Sequence, residues 1–372
     1  MIRVAELALR EIRLTLREPF RISSGVMSER RILLLESRDS DGTLAWSECV
    51  AFQNPIYSAE TIDTAWMAIT SWLAPRVLGV EFGSPSDVTP ALDHDLRGHN
   101  MAKAAVEMGI WGLSALRADE PLAETLGGTR DRVVTGISLG IQATPDALVT
   151  RAKDALAAGY RKIKVKIMPG KDVEYVAAVR EALGPDVSIM ADANSAYTLA
   201  QADHLAKLDA FHLIMIEQPL GEDDLVRHAA LQRRLATPIC LDESITSLER
   251  AQDMLTLGSG KIINIKPGRV GGFTAARAIH DLGVPVWCGG MLESGIGRAY
   301  NVALASLPNF TLPGDLSPSA RYWDRDIVTP EWTMDADGMV KVPRESPGIG
   351  VTVDVDRVED LTARRQVLTA AK

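Results

Sequence analysis

Asp192, Glu217 and Asp242 stand 25 residues apart (217 − 192 and 242 − 217), each closing a short apolar run: SIMADAN, LIMIEQP and PICLDES. Lys164 and Lys166 lie about one such step earlier in KIKVKI, and Lys266 follows in KIINIKP. A step of that length holds one strand, one helix and two loops, so each unit of a repeated scaffold brings a charged side chain back to one place. Three carboxylates gathered in this way suit a hard divalent cation such as Mg2+, for which Mn2+ could substitute. No histidine stands at these strand ends, so zinc and iron are poorly served. A single acidic residue at a strand end is more often a loop cap; the shared spacing is what favours a site.

The lysines read as bases. Lys162, Lys164 and Lys166 alternate along one strand and so share a face, and burying three ammonium groups without purpose is costly. A free lysine titrates near ~10.4. A unit positive charge ~4 Å away costs about 4 kcal/mol at an effective dielectric of ~20, or roughly 3 pK units. Lys164 or a bound cation is therefore expected to bring Lys166 toward ~7–8, the useful range for a base. Lys266, four strands further round, would offer a second base to the other face of a substrate. These parts permit proton abstraction beside a carboxylate, with a cation stabilising the enediolate. Reprotonation from the opposite face gives racemisation; expulsion of a β-leaving group makes the enzyme a lyase.

The scaffold that must position these groups is an alternation of strand-like and helix-like pieces from about Val133 onward. Candidate strands cover 133–141, 162–167, 188–194, 213–219, 238–244, 261–267, 285–291 and 310–316, with amphipathic stretches such as TPDALVTRAKDALAAGY between them. Eight such units predict a parallel α/β barrel whose active site lies at the C-terminal ends of the strands. No GxGxxG follows a strand, which disfavours a doubly wound sheet. Residues 1–126 predict a separate α+β domain: two strand pairs, a Ser-Asp-Gly turn at 40–42, and two helical stretches. Residues 127–320 form the barrel. Residues 321–372 return to strand-like pieces, including EWTMDADGMVKVP, and are expected to pack back on the first domain. Segments near 19–31 and 51–60, rich in Gly, Pro and Ser, read equally as lids that overhang the barrel mouth or as ordinary surface loops.

At 372 residues the chain is long enough for two domains. Apolar residues make up 46% and charged residues 24%, which places it among globular rather than disordered proteins. A net charge of −9 disfavours nucleic acid and anionic membranes as partners, but not an anionic small molecule held by a local cation. The charged N-terminus does not read as a signal peptide, and no apolar run is long enough to span a bilayer. Cys49, Cys240 and Cys288 show no CxxC or zinc spacing and read as reduced thiols of a cytoplasmic protein. A small carboxylate substrate and a homo-oligomeric assembly are the expected partners.

The motifs KxK (Lys164, Lys166), DAN (192–194), IEQP (216–219), LDES (241–244) and NIKPGRVGG (264–272) resemble the enolase superfamily in its muconate-lactonising-enzyme-like subgroup. The stretch WCGGMLESGIGRAYNVALASLPNFTLPGD is similar to the branch containing o-succinylbenzoate synthases and N-succinylamino acid racemases. The resemblance covers nearly the whole chain, including PFRISSG and ECVAF. It implies a (β/α)7β modified TIM barrel with an α+β N-terminal capping domain completed by the C-terminal tail. It implies Asp192, Glu217 and Asp242 as Mg2+ ligands, Lys166 as the base, and Lys266 as enediolate stabiliser or second base. Lys164 would lower the pKa of Lys166 and help hold the substrate carboxylate. Ser138, Asn194, Gly290 and the stretch from Met291 to Ser294 would contact the substrate, with Phe20, Phe52 and Tyr57 closing the lid. The expected activity is syn dehydration of 2-succinyl-6-hydroxy-2,4-cyclohexadiene-1-carboxylate, a step of menaquinone biosynthesis. Racemisation of N-succinylamino acids by the same lysines is the alternative, and Arg269, which racemase-competent members share, keeps it open. A muconate-cycloisomerase-like activity or a non-catalytic barrel ranks lower. GGMLESG lacks the histidine of mandelate-racemase-like members, and PGDLSPS carries Asp315 without the second aspartate of dipeptide epimerases. Ser24 stands where many relatives have an aromatic residue, which bears on the lid's contact with substrate.

Overall fold

The structure is a computed structural model that describes residues 1–22 and 25–370; Ser24 lies outside the described residues. Seven parallel strands form one curved sheet: Ile137–Leu139, Lys162–Lys166, Ser188–Asp192, Ile216–Glu217, Ile239–Leu241, Ile262–Ile265 and Val286–Cys288, each beside the next in sequence. Helices join consecutive strands, as parallel pairing requires. The helix Pro145–Ala157 shows why these segments start where they do: Thr144 Oγ1 accepts from the Ala147 N–H and proline takes a first-turn position. Gly258, at φ 69°, ends the helix Leu248–Leu257 in the left-handed region.

The first and last predicted barrel strands need correction. The predicted first strand, 133–141, is broken in two. Arg132–Val134 pairs antiparallel with Met339–Lys341, and the barrel strand begins only at Ile137. Gly136 marks the break, where a Cβ would stand 2.4 Å from Lys162 Cε. The predicted eighth strand, 310–316, makes a bridge between Gly314 and Thr135 instead of a ladder. Pro313 has no N–H to give to a ladder. The segment still joins the sheet's two edges, because Asp315 N–H donates to Cys288 O and Gly136 N–H to Gly314 O.

The N-terminal sheet is antiparallel and runs Thr362–Thr369, Ile2–Ile22, Gly25–Asp39, Leu44–Cys49. The C-terminal strand therefore completes it, but the piece around Met339–Lys341 does not; that piece lies at the base of the barrel. Residues 19–31 are not an irregular loop. Of these, 19–22 and 25–31 belong to two long antiparallel strands in which Phe20 pairs with Met27 and Ile22 with Gly25.

Helix Asn100–Arg117 is buried on nearly every face and lies between the sheet and the barrel. Its Glu107 accepts from Phe273 N–H, Thr274 N–H and Thr274 Oγ1, and so caps the barrel helix Phe273–His280. Gly272, at φ 124°, leaves room for that carboxylate, since a Cβ there would meet Glu107 Oε2 at 2.3 Å. Among the described residues no helix is long and apolar enough to cross a membrane.

Candidate active site

Strand register decides which side chains meet. Lys166 pairs with Asp192, Asp192 with Glu217, and Glu217 with Cys240. Side chains two residues apart share a face, so Asp242 stands one step above Glu217 on the same inner wall. Below them Met190, Met215, Cys240, Ile262 and Trp287 fill the barrel interior. The three carboxylates are essentially fully buried, and charges so buried need partners.

The lysines are those partners. Lys166 Nζ lies 2.5 Å from Asp192 Oδ2 and 2.7 Å from Asn194 Oδ1. Lys164 Nζ donates to Glu217 Oε2 at 3.2 Å and lies 2.6 Å from Asp315 Oδ2 and 3.4 Å from Asp192 Oδ2. On the far wall Lys266 Nζ donates to Asp242 Oδ2 at 2.8 Å, and Arg269 bonds the other oxygen of that carboxylate. Arg269 also donates to the carbonyls of Ile245 and Asn264, which fixes its plane behind the site. Lys162 sits deeper, 3.8 Å above the Trp287 ring and 3.3 Å from Asp315 Oδ1.

Burial and charge pull these groups in opposite directions. Burial, reinforced by neighbouring Asp192, lifts Glu217 well above the usual carboxylate range. Burial would lift Asp192 too, but Lys166 and Lys164 hold it low; Lys266 and Arg269 do the same for Asp242. Burial would lower Lys164, yet Asp315, Glu217 and Asp192 together raise it well above an ordinary lysine. The charge that sequence reasoning set against Lys166 is thus balanced by three carboxylates. Lys266 also rises against burial, through Asp242 first and then Tyr57 and Glu243. Glu243 is pushed up to about 7 by burial and by adjacent Asp242.

Asp192, Glu217 and Asp242 fit a hard cation in donor type and adjacency. Like charges crowd Glu217, and a cation relieves that repulsion. Among the described residues, however, no three acidic, histidine or cysteine side chains present their donors as a ready-made cage. Lys164, Lys166, Lys266 and Arg269 hold the oxygens instead.

A cavity of about 60 Å³ gathers most of the expected site: Phe20, Phe52, Tyr57, Ser138, Lys164, Lys166, Asn194, Lys266, Gly290 and Met291 all line it. A larger cleft of about 620 Å³ lies on the outer side of the first barrel strand, lined by Ile137 and Leu139, and holds none of the paired lysines. The smaller one is the candidate site, because chemistry follows the ionisable groups and not the volume. Ser138 Oγ faces it buried and without a hydrogen-bond partner among the described residues. Two expected contacts fall elsewhere. Ser294 is fully buried and its hydroxyl donates to Glu48 Oε2 at 2.6 Å, so it caps a helix and does not line the cavity. Arg269 acts from behind Asp242. Sequence reasoning missed Asp315, which bridges Lys162 and Lys164, and Asn264, whose Nδ2 donates to Glu217 Oε1 at 2.7 Å. It also gave no role to Glu243, which accepts from Asn194 Nδ2 at 3.1 Å. Asn264 stands two residues before Lys266 on the same strand face, which was the available signal for it; Glu243, next to Asp242, had none.

The fold and the paired lysines define an enolase-type barrel enzyme. The chain belongs to the mandelate racemase / muconate lactonizing enzyme family of the enolase superfamily: residues 4–127 match its N-terminal domain and residues 147–358 match the enolase C-terminal domain-like family. It is 50% identical over 365 residues to an o-succinylbenzoate synthase of Geobacillus kaustophilus, covering 97% of this chain and 96% of the relative. It is 46% identical over 361 residues to an N-succinylamino acid racemase of Amycolatopsis, covering 96% and 97%. A crystal structure of an enolase-superfamily member from Listeria innocua superposes with a TM-score of 0.95 at 36% identity, over the whole of both chains.

Proposed function

We propose that this chain is a Mg2+-dependent o-succinylbenzoate synthase, with racemisation of N-succinylamino acids as a second reaction of the same groups. The observation that carries this is the placement of Lys166 and Lys266 on one cavity, each tied to a different expected metal ligand. A divalent cation held by Asp192, Glu217 and Asp242 would stabilise the charge that gathers on the substrate carboxylate as its α-proton leaves. Lys166 takes that proton. In a syn elimination the leaving hydroxyl departs from the same face, so the Lys166 ammonium can return the proton to it and release water. Lys266 keeps its charge and balances the growing negative charge. For racemisation, Lys266 returns a proton from its own wall, four strands further round the ring. Ser138 Oγ, without a partner among the described residues, would meet a polar group of the substrate's tail. Phe20, Phe52 and Tyr57 exclude water above the reacting carbon.

The second reading is favoured by Arg269, which holds Asp242 and approaches Tyr57 Oη at 3.1 Å, beside the second base. The test is turnover of both substrates side by side in D2O, followed by NMR. Dehydration of the cyclohexadiene carboxylate supports the synthase. Exchange of the α-proton of an N-succinylamino acid without dehydration makes racemisation the principal reaction. Neither, with Mg2+ bound, removes the reading.

A further inference from the structure

Arg30 is a fully buried arginine of the capping domain that contacts neither lysine nor carboxylate of the site. Burial lowers it to about 10, against the pull of Glu48 and Glu293. Its guanidinium points along three carbonyls. Nη1 donates to Ala51 O at 3.1 Å and Nη2 to Val50 O at 3.3 Å; Nε approaches Leu292 O at 3.5 Å. The same guanidinium lies 4.6 Å from the centre of the Phe52 ring, and Phe52 meets Tyr57 edge-on with ring centres 6.1 Å apart. One side chain therefore touches the root of the 51–60 loop and the loop after the seventh strand.

That second loop is the cavity wall at Met291 and Leu292. Leu292 has φ 57°, a left-handed conformation that a leucine adopts only when its surroundings impose it. The constraint comes from three sides. Glu293 turns back to accept from Met291 N–H at 2.7 Å and is itself held by Arg298 and Asn301. Glu48, from the capping sheet, accepts from Ser294 N–H and Oγ and from Gly297 N–H. Arg30 takes the carbonyl between them.

We propose that Arg30 is a positioning residue that couples the 51–60 loop to the Met291–Leu292 wall, so that seating Tyr57 over Lys266 and shaping the pocket for the substrate's acyl tail are one event. This rests on the proposed function for its substrates but not for its first measurement. Arg30→Lys keeps the charge and cannot reach three carbonyls at once. Hydrogen exchange of the substrate-free protein should then quicken in 51–57 and 290–294 together, with the rest of the capping sheet unchanged. With N-succinyl and N-acetyl forms of one amino acid, kcat/KM should fall roughly tenfold, about 1.4 kcal/mol, for the longer acyl group and little for the shorter. Glu48→Gln, which loosens the same wall from the other side, should move the succinyl-to-acetyl ratio in the same direction and supplies the test if Arg30→Lys does not fold. Faster exchange in one loop only, or an equal loss on both substrates, overturns the coupling. Absence of turnover in the unaltered protein would sink the proposed function and leave the exchange result to decide this one.

Discussion

Tyr57 Oη donates to Asp242 Oδ1 at 2.9 Å, joining a capping-domain loop to a barrel strand end 185 residues further along the chain. The same oxygen accepts from Lys266 Nζ at 3.2 Å and from Arg269 Nη1 at 3.1 Å, and Lys266 lies 4.3 Å from the ring centre. Three groups, Asp242, Lys266 and Arg269, thus converge on one hydroxyl beside a cavity of about 60 Å³, smaller than the ~300–1,000 Å³ typical of ligand sites. Tyr57 ties the 51–60 loop to the far wall of the site. Tyr57→Phe keeps the ring over Lys266 and removes the acceptor from two buried cations, a loss of about 1–3 kcal/mol. Turnover should fall roughly tenfold, checked by steady-state kinetics beside a melting curve. An unchanged rate would show that the hydroxyl only seals the empty-handed enzyme.

The two lysines should be separable by the face on which they act. Lys166→Ala is expected to abolish dehydration, a loss of roughly 10²–10⁴ or more, while a Mg2+ titration still shows binding. Lys266→Ala should permit α-proton exchange from one enantiomer of an N-succinylamino acid and not from the other. NMR in D2O with each enantiomer separately reads this out. Exchange of both enantiomers by Lys266→Ala would mean that one lysine serves both faces.

How much of this was legible in the sequence depends on which contacts a repeat can encode. A 25-residue period fixes strand phase, so Asp192, Glu217 and Asp242 could be placed on one inner wall before any coordinates. The same phase argument found Lys164, Lys166 and Lys266. It failed for Asp315, because its segment carries a proline and a glycine where a strand pattern was needed and joins the barrel by a bridge. It failed for Ser294, since nearness in sequence to Met291 does not tell which way a hydroxyl points. Arg30 and Glu48 were out of reach for a different reason: each makes a contact into the other domain, Arg30 with Leu292 and Glu48 with Ser294, and no local periodicity records a contact across 246 residues such as the latter. The compensation of Lys164 by three carboxylates was hidden likewise, because charge balance is a property of the assembled ring.

Metal binding should be visible as stability. The buried carboxylates crowd one another at Glu217, and a cation that binds the folded chain and not the unfolded one stabilises it by about 2.7 kcal/mol at a hundred times its Kd. Adding Mg2+ to chelator-treated protein is expected to raise Tm, and chelator should reverse the gain. Glu217→Gln should stabilise the metal-free protein, by removing like-charge repulsion, and should abolish the Mg2+ response. A variant that keeps the full response would place the cation elsewhere.

Glu48 gives stability a pH dependence far from the lysines and carboxylates of the site. Burial, with help from neighbouring Glu293, lifts it to about 8 against the opposing pull of Ser294, Arg30 and the Gly297 N–H. The unfolded chain releases this proton near the ordinary value of 4.5, whereas the folded chain keeps it. Between those two values the folded state therefore binds more protons, so stability falls as pH rises, by up to about 1.4 kcal/mol per unit. Below about 4.5 both states hold the proton and the effect vanishes. Glu48→Gln cannot ionise and still offers one oxygen to Ser294 and Gly297. Its Tm relative to the unaltered protein should climb from pH 5 to pH 8 and level off above. Ser294→Ala removes one of the donors that hold Glu48 down, so it should extend the decline seen in the unaltered protein to higher pH at the same slope. Melting curves of the three proteins across pH 4–9 decide the matter: parallel traces would mean that Glu48 is ionised throughout, held by Ser294 and Gly297 more firmly than burial opposes.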